Sequence, residues 1–457
     1  MLIALETWGS KQHGLKDRFE SLPFGSKIII PELVPDPTKV EMYISPGHQV
    51  ERKLYSLATL KSIYDLPHAS WPAIIDIQQL DLQKQIQDNI SLVLLRDDPC
   101  SDLMIFKSSL NDFDYLYHEL YQLLSLTPHQ STIHHPTHLV TKKCRFGGKV
   151  GVVGFILPYY AGGDLGKTLS HLAEINLLSL PDQFKWAKQV TASLLHVRDS
   201  GTYYSDLRPD NLLLSSSKDI ILIDFEQRGN WYSWVPPEVR YIQYLQLLSA
   251  GVCRFMSTIH SSDTSLSIPT DIRPRFEALL QRSGRTMAPL SRSGFPEVVD
   301  HSNAWRALTL DEQESAMVFN LGKLLWCLFE GVGSLPGDFW GVPLSVSGLQ
   351  FPEFRRTPEE ARRLILDCTA GESEHWRQGP GVSIVDSRLV PSDKKLIADE
   401  RTVVALFKKW WEKELEDMHC NFETKVRFPN RPSLKDVSQR LELICDRLRD
   451  GTEMRIS

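Results

Sequence analysis

Tyr203–Gln227 reads YYSDLRPDNLLLSSSKDIILIDFEQ, and two apolar runs within it, Leu212–Leu214 and Ile220–Ile223, flank a Ser-rich turn. Short β-prone runs around such a turn predict an antiparallel hairpin. A hairpin returns the chain to its open end, so Asn211, just before the first strand, and Asp224, just after the second, are expected side by side. Asp206 lies on the loop entering that same end. Two carboxylates and one amide oxygen then converge, a donor set that suits a hard cation such as Mg²⁺, which also takes phosphate oxygens. Read singly, each aspartate is an ordinary turn residue before a strand.

Upstream, short strand-like runs (SLVLL, LMIF, HLVTKK, VGVVGFIL) surround one helical segment, DFDYLYHELYQLLSL. They predict a small sheet carrying one helix. Before it, residues 1–70 are irregular apart from ERKLYSLATLKSIYDL, whose spacing predicts a single amphipathic helix. After the turn-rich PYYAGGD the pattern becomes helical. Phe184, Ala187, Val190, Leu194 and Val197 repeat at helical spacing from Pro181, with Gly201 as a stop. Thr309 and Glu312 form a capping box for a helix through Phe329, and Ser433 opens another with an apolar stripe from Leu434 to Leu448. Residues 245–305 have weak periodicity and read as a long insertion. The glycines of RFGGKVGVVG lie between two strands and read as a hairpin turn, and the histidines of PHQSTIHHPTH read as a loop.

The chain has 457 residues, 42% hydrophobic and 24% charged, with 51 basic against 57 acidic side chains and a net charge of -6. That composition folds, and it offers no bulk attraction to nucleic acid or to an anionic membrane. Seven cysteines are widely spaced with no C-x-x-C pair, which argues against a disulfide framework or a thiolate zinc site. With no signal-like start and no membrane-length apolar run, an intracellular, cytoplasmic setting is expected.

At Tyr204-Ser205-Asp206-Leu207-Arg208-Pro209-Asp210-Asn211 and Asp224-Phe225-Glu226 the chain resembles the eukaryotic protein kinases, whose catalytic loop H-R-D-L-x-x-x-N precedes a hairpin and D-F-G. The 18-residue separation of Asp206 and Asp224 is similar to the family's. Lys107, ending LMIFK, and Glu119, inside DYLYHELYQLL, stand in the order of the lysine–glutamate pair that positions ATP phosphates. Leu157–Leu165 looks like the hinge, with Tyr159 and Tyr160 beside an adenine and Asp164 near a ribose. Pro236-Pro237-Glu238 looks like the A-P-E that closes the activation segment, with Arg431 as its ion-pair partner, and VFNLGKLLWCLFEG resembles the central helix of the large lobe.

The resemblance implies a two-lobed α+β fold: a small antiparallel-sheet lobe with one key helix over 71–157, and a mainly helical lobe over 158–449 with the insertion at about 245–305. Residues 1–70 form an extension and 450–457 a tail. It implies Mg²⁺-dependent transfer of the ATP γ-phosphoryl group to a protein Ser/Thr hydroxyl. Asp206 would orient the hydroxyl, Arg208 support the transferring group, Lys107 and Glu119 position the phosphates, and Asn211 and Asp224 hold metal. The YLYHEL and CRFGGKVG segments resemble fungal kinase-domain proteins of unknown substrate.

The pattern is also broken. No G-x-G-x-x-G precedes Lys107, Tyr204 and Ser205 replace the histidine and arginine of H-R-D, Glu226 replaces the glycine of D-F-G, and Met317 stands at the place of an aspartate that braces the catalytic loop. With a short segment to Glu238, control by activation-segment phosphorylation is not expected. Two alternatives follow: a pseudokinase scaffold, and a small-molecule kinase of the choline or aminoglycoside type, which also carries I-D-F-E.

Overall fold

The computed structural model describes residues 8–10, 22–66, 70–96, 102–145, 147–249, 272–282, 301–335, 353–370, 381–385, 388–397, 399–424 and 431–449. Much of the 245–305 insertion and Leu448 thus lie outside the described side chains. The architecture is mixed α+β and divides into two units, Met1–Ala161 with Asp224–Glu226, and Gly162–Ile223 with Gln227–Ser457.

In the first unit β1 (Lys27–Ile29) pairs with β2 (Tyr43–Ser45). Two helices follow, α1 (His48–Lys53) and α2 (Leu57–Tyr64), where the sequence spacing predicts one. The break has a physical cause. Tyr55 gives its amide N–H to the Tyr117 hydroxyl at 3.0 Å, and its carbonyl accepts from Val152 N at 2.8 Å, so neither group is left for a helical ladder. Ser56 then caps α2 through Thr59 N.

Strands β3 (Ala73–Asp76), β4 (Leu80–Gln87), β5 (Ile90–Leu95) and β6 (Met104–Ser108) precede α3 (Phe113–Ser125), and β7 (His138–Lys143) and β8 (Val150–Pro158) follow it. They form one six-stranded sheet in the order β3-β7-β8-β6-β5-β4. Every pair is antiparallel except β3–β7, which corrects the expectation of a purely antiparallel sheet. Although β3 and β4 end the sheet order, only Ile77–Gln79 joins them. Three residues reach roughly 10 Å, so the sheet must curl until its edges approach. The β7–β8 connection is the expected hairpin, with Gly147 and Gly148 at φ 72° and 63°.

The second unit begins with α4 (Leu165–Glu174) and α5 (Leu180–Asp199), and the predicted stripe Phe184, Ala187, Val190, Leu194 and Val197 is buried in full. The predicted hairpin is β9 (Leu212–Leu214) with β10 (Ile220–Leu222), antiparallel. After it come α6 (Pro237–Ser249), α7 (Arg273–Arg282), α8 (His301–Ala307) and α9 (Leu310–Glu330). Helix α9 opens on the Thr309/Glu312 capping box and closes on Gly331 at φ 72°, a left-handed position that favours glycine. Its residues Ala316–Glu330 are buried on all sides, which makes it the axis of this unit. The described chain ends with α10 (Glu359–Thr369), β11 (Val382–Val385) paired to β12 (Arg388–Pro391), α11 (Glu400–Thr424) and α12 (Leu434–Arg449). Among the described residues no helix is long and apolar enough to cross a membrane.

Helix α5 grips the β9–β10 turn. Asp219 meets Lys185 Nζ at 2.8 Å and Gln189 Nε2 at 2.7 Å, while Ile220 N donates to Gln189 Oε1 at 2.9 Å. Hydrogen bonds from Lys185, Ser217 and Gln189 draw the Asp219 carboxyl down to about 2. Its folded pKa lies below its unfolded one, so its stabilising contribution is present above about pH 4 and fades as pH falls towards about 2. Asp219→Asn is expected to lower the melting temperature at pH 6, with the gap to wild type closing on acidification. A gap constant from pH 6 to pH 2 in thermal melts would refute that linkage.

Candidate functional site

In the first unit strand β6 delivers Lys107 into the interior, 5% exposed, where its Nζ meets three carboxylates. Glu119 Oε2 on α3 is at 2.6 Å, Asp224 Oδ1 at 2.8 Å and Glu226 Oε1 at 3.1 Å. Asp224 Oδ1 accepts a hydrogen bond from the ammonium, and Glu119 and Glu226 complete three ion pairs around it. Burial opposes the charge on Lys107, but the carboxylates of Asp224, Glu119 and Glu226 win and hold its pKa well above the ordinary value. Burial pushes Glu119 the other way, upward, reinforced by the charges of Asp224 and Glu226 and opposed by Lys107.

The backbone is shaped around this cluster. Gly154 on β8 lies beside Lys107, and a Cβ there would stand 2.2 Å from the Lys107 carbonyl oxygen, so only glycine lets β8 approach β6. Phe225 is fully buried and donates its amide N–H to Glu119 Oε1 at 3.1 Å. The positive φ angles of this turn fall on Asp224 (66°) and Gln227 (53°), so Glu226 sits where a side chain is not strained. Sequence reading pairs Lys107 with Glu119, and the two are in contact; Asp224 and Glu226 as further partners of Lys107 are new, the only signal of Glu226 being a carboxylate two residues after Asp224. Where a glycine loop would lie, β4 and β5 are joined only by Asp88 and Asn89. Tyr159 is exposed and Tyr160 partly buried at the end of β8.

The second unit holds the other predicted residues. Asn211 Nδ2 donates to Asp206 Oδ2 at 2.9 Å and to the Asp206 carbonyl at 2.8 Å, leaving its side-chain oxygen as the remaining ligand atom. Arg208 bridges Asp206 at 3.2 Å and Asp210 at 3.0 Å, and its guanidinium lies 5.2 Å from the ring centre of exposed Trp231. The hairpin closes this loop, since Ile223 N donates to the Asn211 carbonyl at 3.1 Å. Gly162 approaches the hairpin so closely that a Cβ would stand 2.3 Å from the Leu214 carbonyl oxygen. Asp164 caps α4 through Lys167 N at 2.8 Å and pairs with Lys167 Nζ at 2.7 Å.

The positions that depart from the resemblance have hydrogen bonds of their own. The Tyr204 hydroxyl donates to the Ile223 carbonyl, and Tyr204 N donates to the Met317 sulfur at 3.3 Å. Further on, Glu238 and Arg431 form the expected pair, with side chains 0% and 1% exposed. Arg431 also donates to the carbonyls of Ala370 at 2.7 Å and Ser315 at 3.0 Å.

No protein-family model matches the chain. A 70-residue stretch is 37% identical to part of the serine/threonine-protein kinase ppk22 of Schizosaccharomyces pombe, covering 15% of this chain and 13% of that protein. The chain thus matches about an eighth of that relative's length, and the likeness is to a kinase-like family at most.

Removing the ammonium while leaving its partners strands buried like charges. Lys107→Met is therefore expected to destabilise the protein by roughly 3–5 kcal/mol. Adding Glu226→Gln should recover part of the loss, because one of the stranded charges is then removed. Chemical denaturation checks both; a Lys107→Met variant as stable as wild type would contradict the reading of the cluster.

Proposed function

We propose that the chain is a two-lobed, protein-kinase-like phosphotransferase that moves the γ-phosphoryl group of Mg-ATP to a protein Ser/Thr hydroxyl. The observation that carries this reading is the buried Lys107–Glu119–Asp224 cluster, which joins a strand, a helix and the residue after the hairpin in the order a nucleotide-phosphate site requires. The Glu238–Arg431 pair favours a protein-kinase lobe over a small-molecule kinase.

In this reading Asp206 accepts the proton of the attacking hydroxyl, held for that task by Asn211 and Arg208. Arg208 brings positive charge to the transferring group, and Lys107, oriented by Glu119, brings it to the α/β-phosphates. Asn211 and Asp224 would hold Mg²⁺, since each by itself offers an oxygen of the kind that ion takes: the Asn211 amide is turned so that its nitrogen serves Asp206, and the Asp224 side chain is 32% exposed. Bound Mg²⁺ would neutralise phosphate charge. The segment after Glu226 works without phosphorylation.

A scaffold reading has one observation in its favour. Lys107 is already ion-paired with three carboxylates, so a phosphate has to compete with them. Nucleotide binding separates the two readings. Millimolar Mg-ATP is expected to raise the melting temperature of wild type as RT ln(1 + [L]/Kd), and Asp224→Asn should lose the Mg²⁺-dependent part of that rise. Asp206→Asn should keep the shift and lose phosphoryl transfer. No shift in wild type leaves the scaffold.

A further inference from the structure

Residues Gln227–Trp234 follow the Asp224-Phe225-Glu226 turn, and in the second unit they are fastened to the loop that carries Asp206. Gln227 Nε2 donates to the Tyr203 carbonyl, Gly229 N to Ser205 Oγ at 3.3 Å, and Asn230 Nδ2 to the Ser205 carbonyl. Asn230 Oδ1 accepts in turn from the indole Nε1–H of Trp305 on α8 at 2.7 Å. The Trp305 ring stacks on Tyr203 at 5.2 Å with planes 7° apart, so one side chain touches the loop directly and also reaches it through Asn230.

Helix α8 is itself held hard against the segment. A Cβ on Gly229 would stand 2.5 Å from His301 Cβ, and Gln313 Nε2 on α9 donates to the Trp305 carbonyl at 3.0 Å. From the other side, Lys323 Nζ on α9 donates to the Ser233 carbonyl at 2.7 Å. Ser205, Asn230 and Trp305 are 1%, 6% and 0% exposed, so water does not compete for these bonds. A loop that moved would leave the Asn230 amide N–H and the Ser205 carbonyl without this bond in the interior.

We propose that Trp305 and Asn230 are positioning residues, which pass a hydrogen-bond chain from α8 to the Ser205 carbonyl and hold the Asp206 loop in working geometry without a phosphate on the segment. The proposal rests on the phosphotransferase reading for the role of Asp206, while the chain of hydrogen bonds stands on the geometry alone. Its neutral donors and acceptors require no modification to form.

The test uses the full chain, produced in bacteria and treated with phosphatase. Trp305→Phe keeps a ring over Tyr203 and loses only the indole N–H; Asn230→Ala removes the relay. Backbone hydrogen exchange over 203–211 and 227–234 is expected to rise about tenfold in each variant. The double variant should exchange no faster than Asn230→Ala, because both residues act through one chain. Phosphoryl transfer from Mg-ATP to casein should fall about tenfold in kcat, with KM for ATP and the Mg-ATP thermal shift unchanged. Unchanged exchange over 203–211 in Trp305→Phe, additive effects in the double variant, or unchanged kcat would overturn the proposal. If wild type transfers no phosphate, the functional reading fails with the catalytic part of the proposal, and the exchange cycle still decides whether the relay holds the loop.

Discussion

The ammonium of Lys107 cannot be taken out of water unless its charge is met, and this constraint organises the first unit. An isolated buried charge of that size would neutralise itself or unfold its surroundings. Here α3 contributes one carboxylate and the turn after β10 two, all within 3.1 Å of the ammonium that β6 carries. The constraint is reciprocal. Carboxylates gathered this closely repel one another, and the lysine between them lets Glu119 and Glu226 lie buried together. Close approach of β8 through Gly154 and the Phe225–Glu119 hydrogen bond follow from the same centre, because each fixes a backbone that presents one of its charged groups.

The second unit solves a similar problem by two different means. Glu238 and Arg431 are buried as a charged pair, and the carbonyls of Ala370 and Ser315 satisfy further guanidinium donors. Between the Asp206 loop and α8 the connection is instead a run of amides, an indole and backbone carbonyls. Neutral bonds have a smaller desolvation cost and impose direction, which is what a loop needs when one carboxylate on it must point a particular way. Charge closes the far end of the segment, and shape and hydrogen bonding set its start.

How much was legible in the sequence followed the range of the interaction. The β9–β10 hairpin, the stripe of α5 and the N-terminal capping box of α9 are local patterns of period and turn, and each lies where the sequence pattern puts it. The break between α1 and α2 was hidden because its cause lies in Tyr117 and Val152, some 60 to 100 residues away. Strand β4 was missed for another reason: LDLQKQIQ is exposed over most of its length, so its alternation does not mark a buried face. Motif order named Lys107, Glu119, Asp206, Asn211 and Asp224 as candidates; Lys107 contacts Glu119 and Asp224 in the first unit, and Asp206 contacts Asn211 in the second. Trp305 carried no local signal, being one tryptophan of 11 and 75 residues beyond its Asn230 partner.

The departures from the kinase pattern leave the local hydrogen bonding of the loop in place. Tyr204 reaches the Ile223 carbonyl with a hydroxyl, and Met317 receives the Tyr204 amide with a sulfur, a weak acceptor. Ser205 serves through its backbone carbonyl and hydroxyl, both occupied by the following segment. In each case the side chain that resemblance would lead one to expect is gone, and a hydrogen bond to the loop backbone is present by another route. Three substitutions with bonds of their own surround one loop on which Arg208 and Asn211 both contact Asp206, so the loop is held in place with none of the expected side chains at those positions.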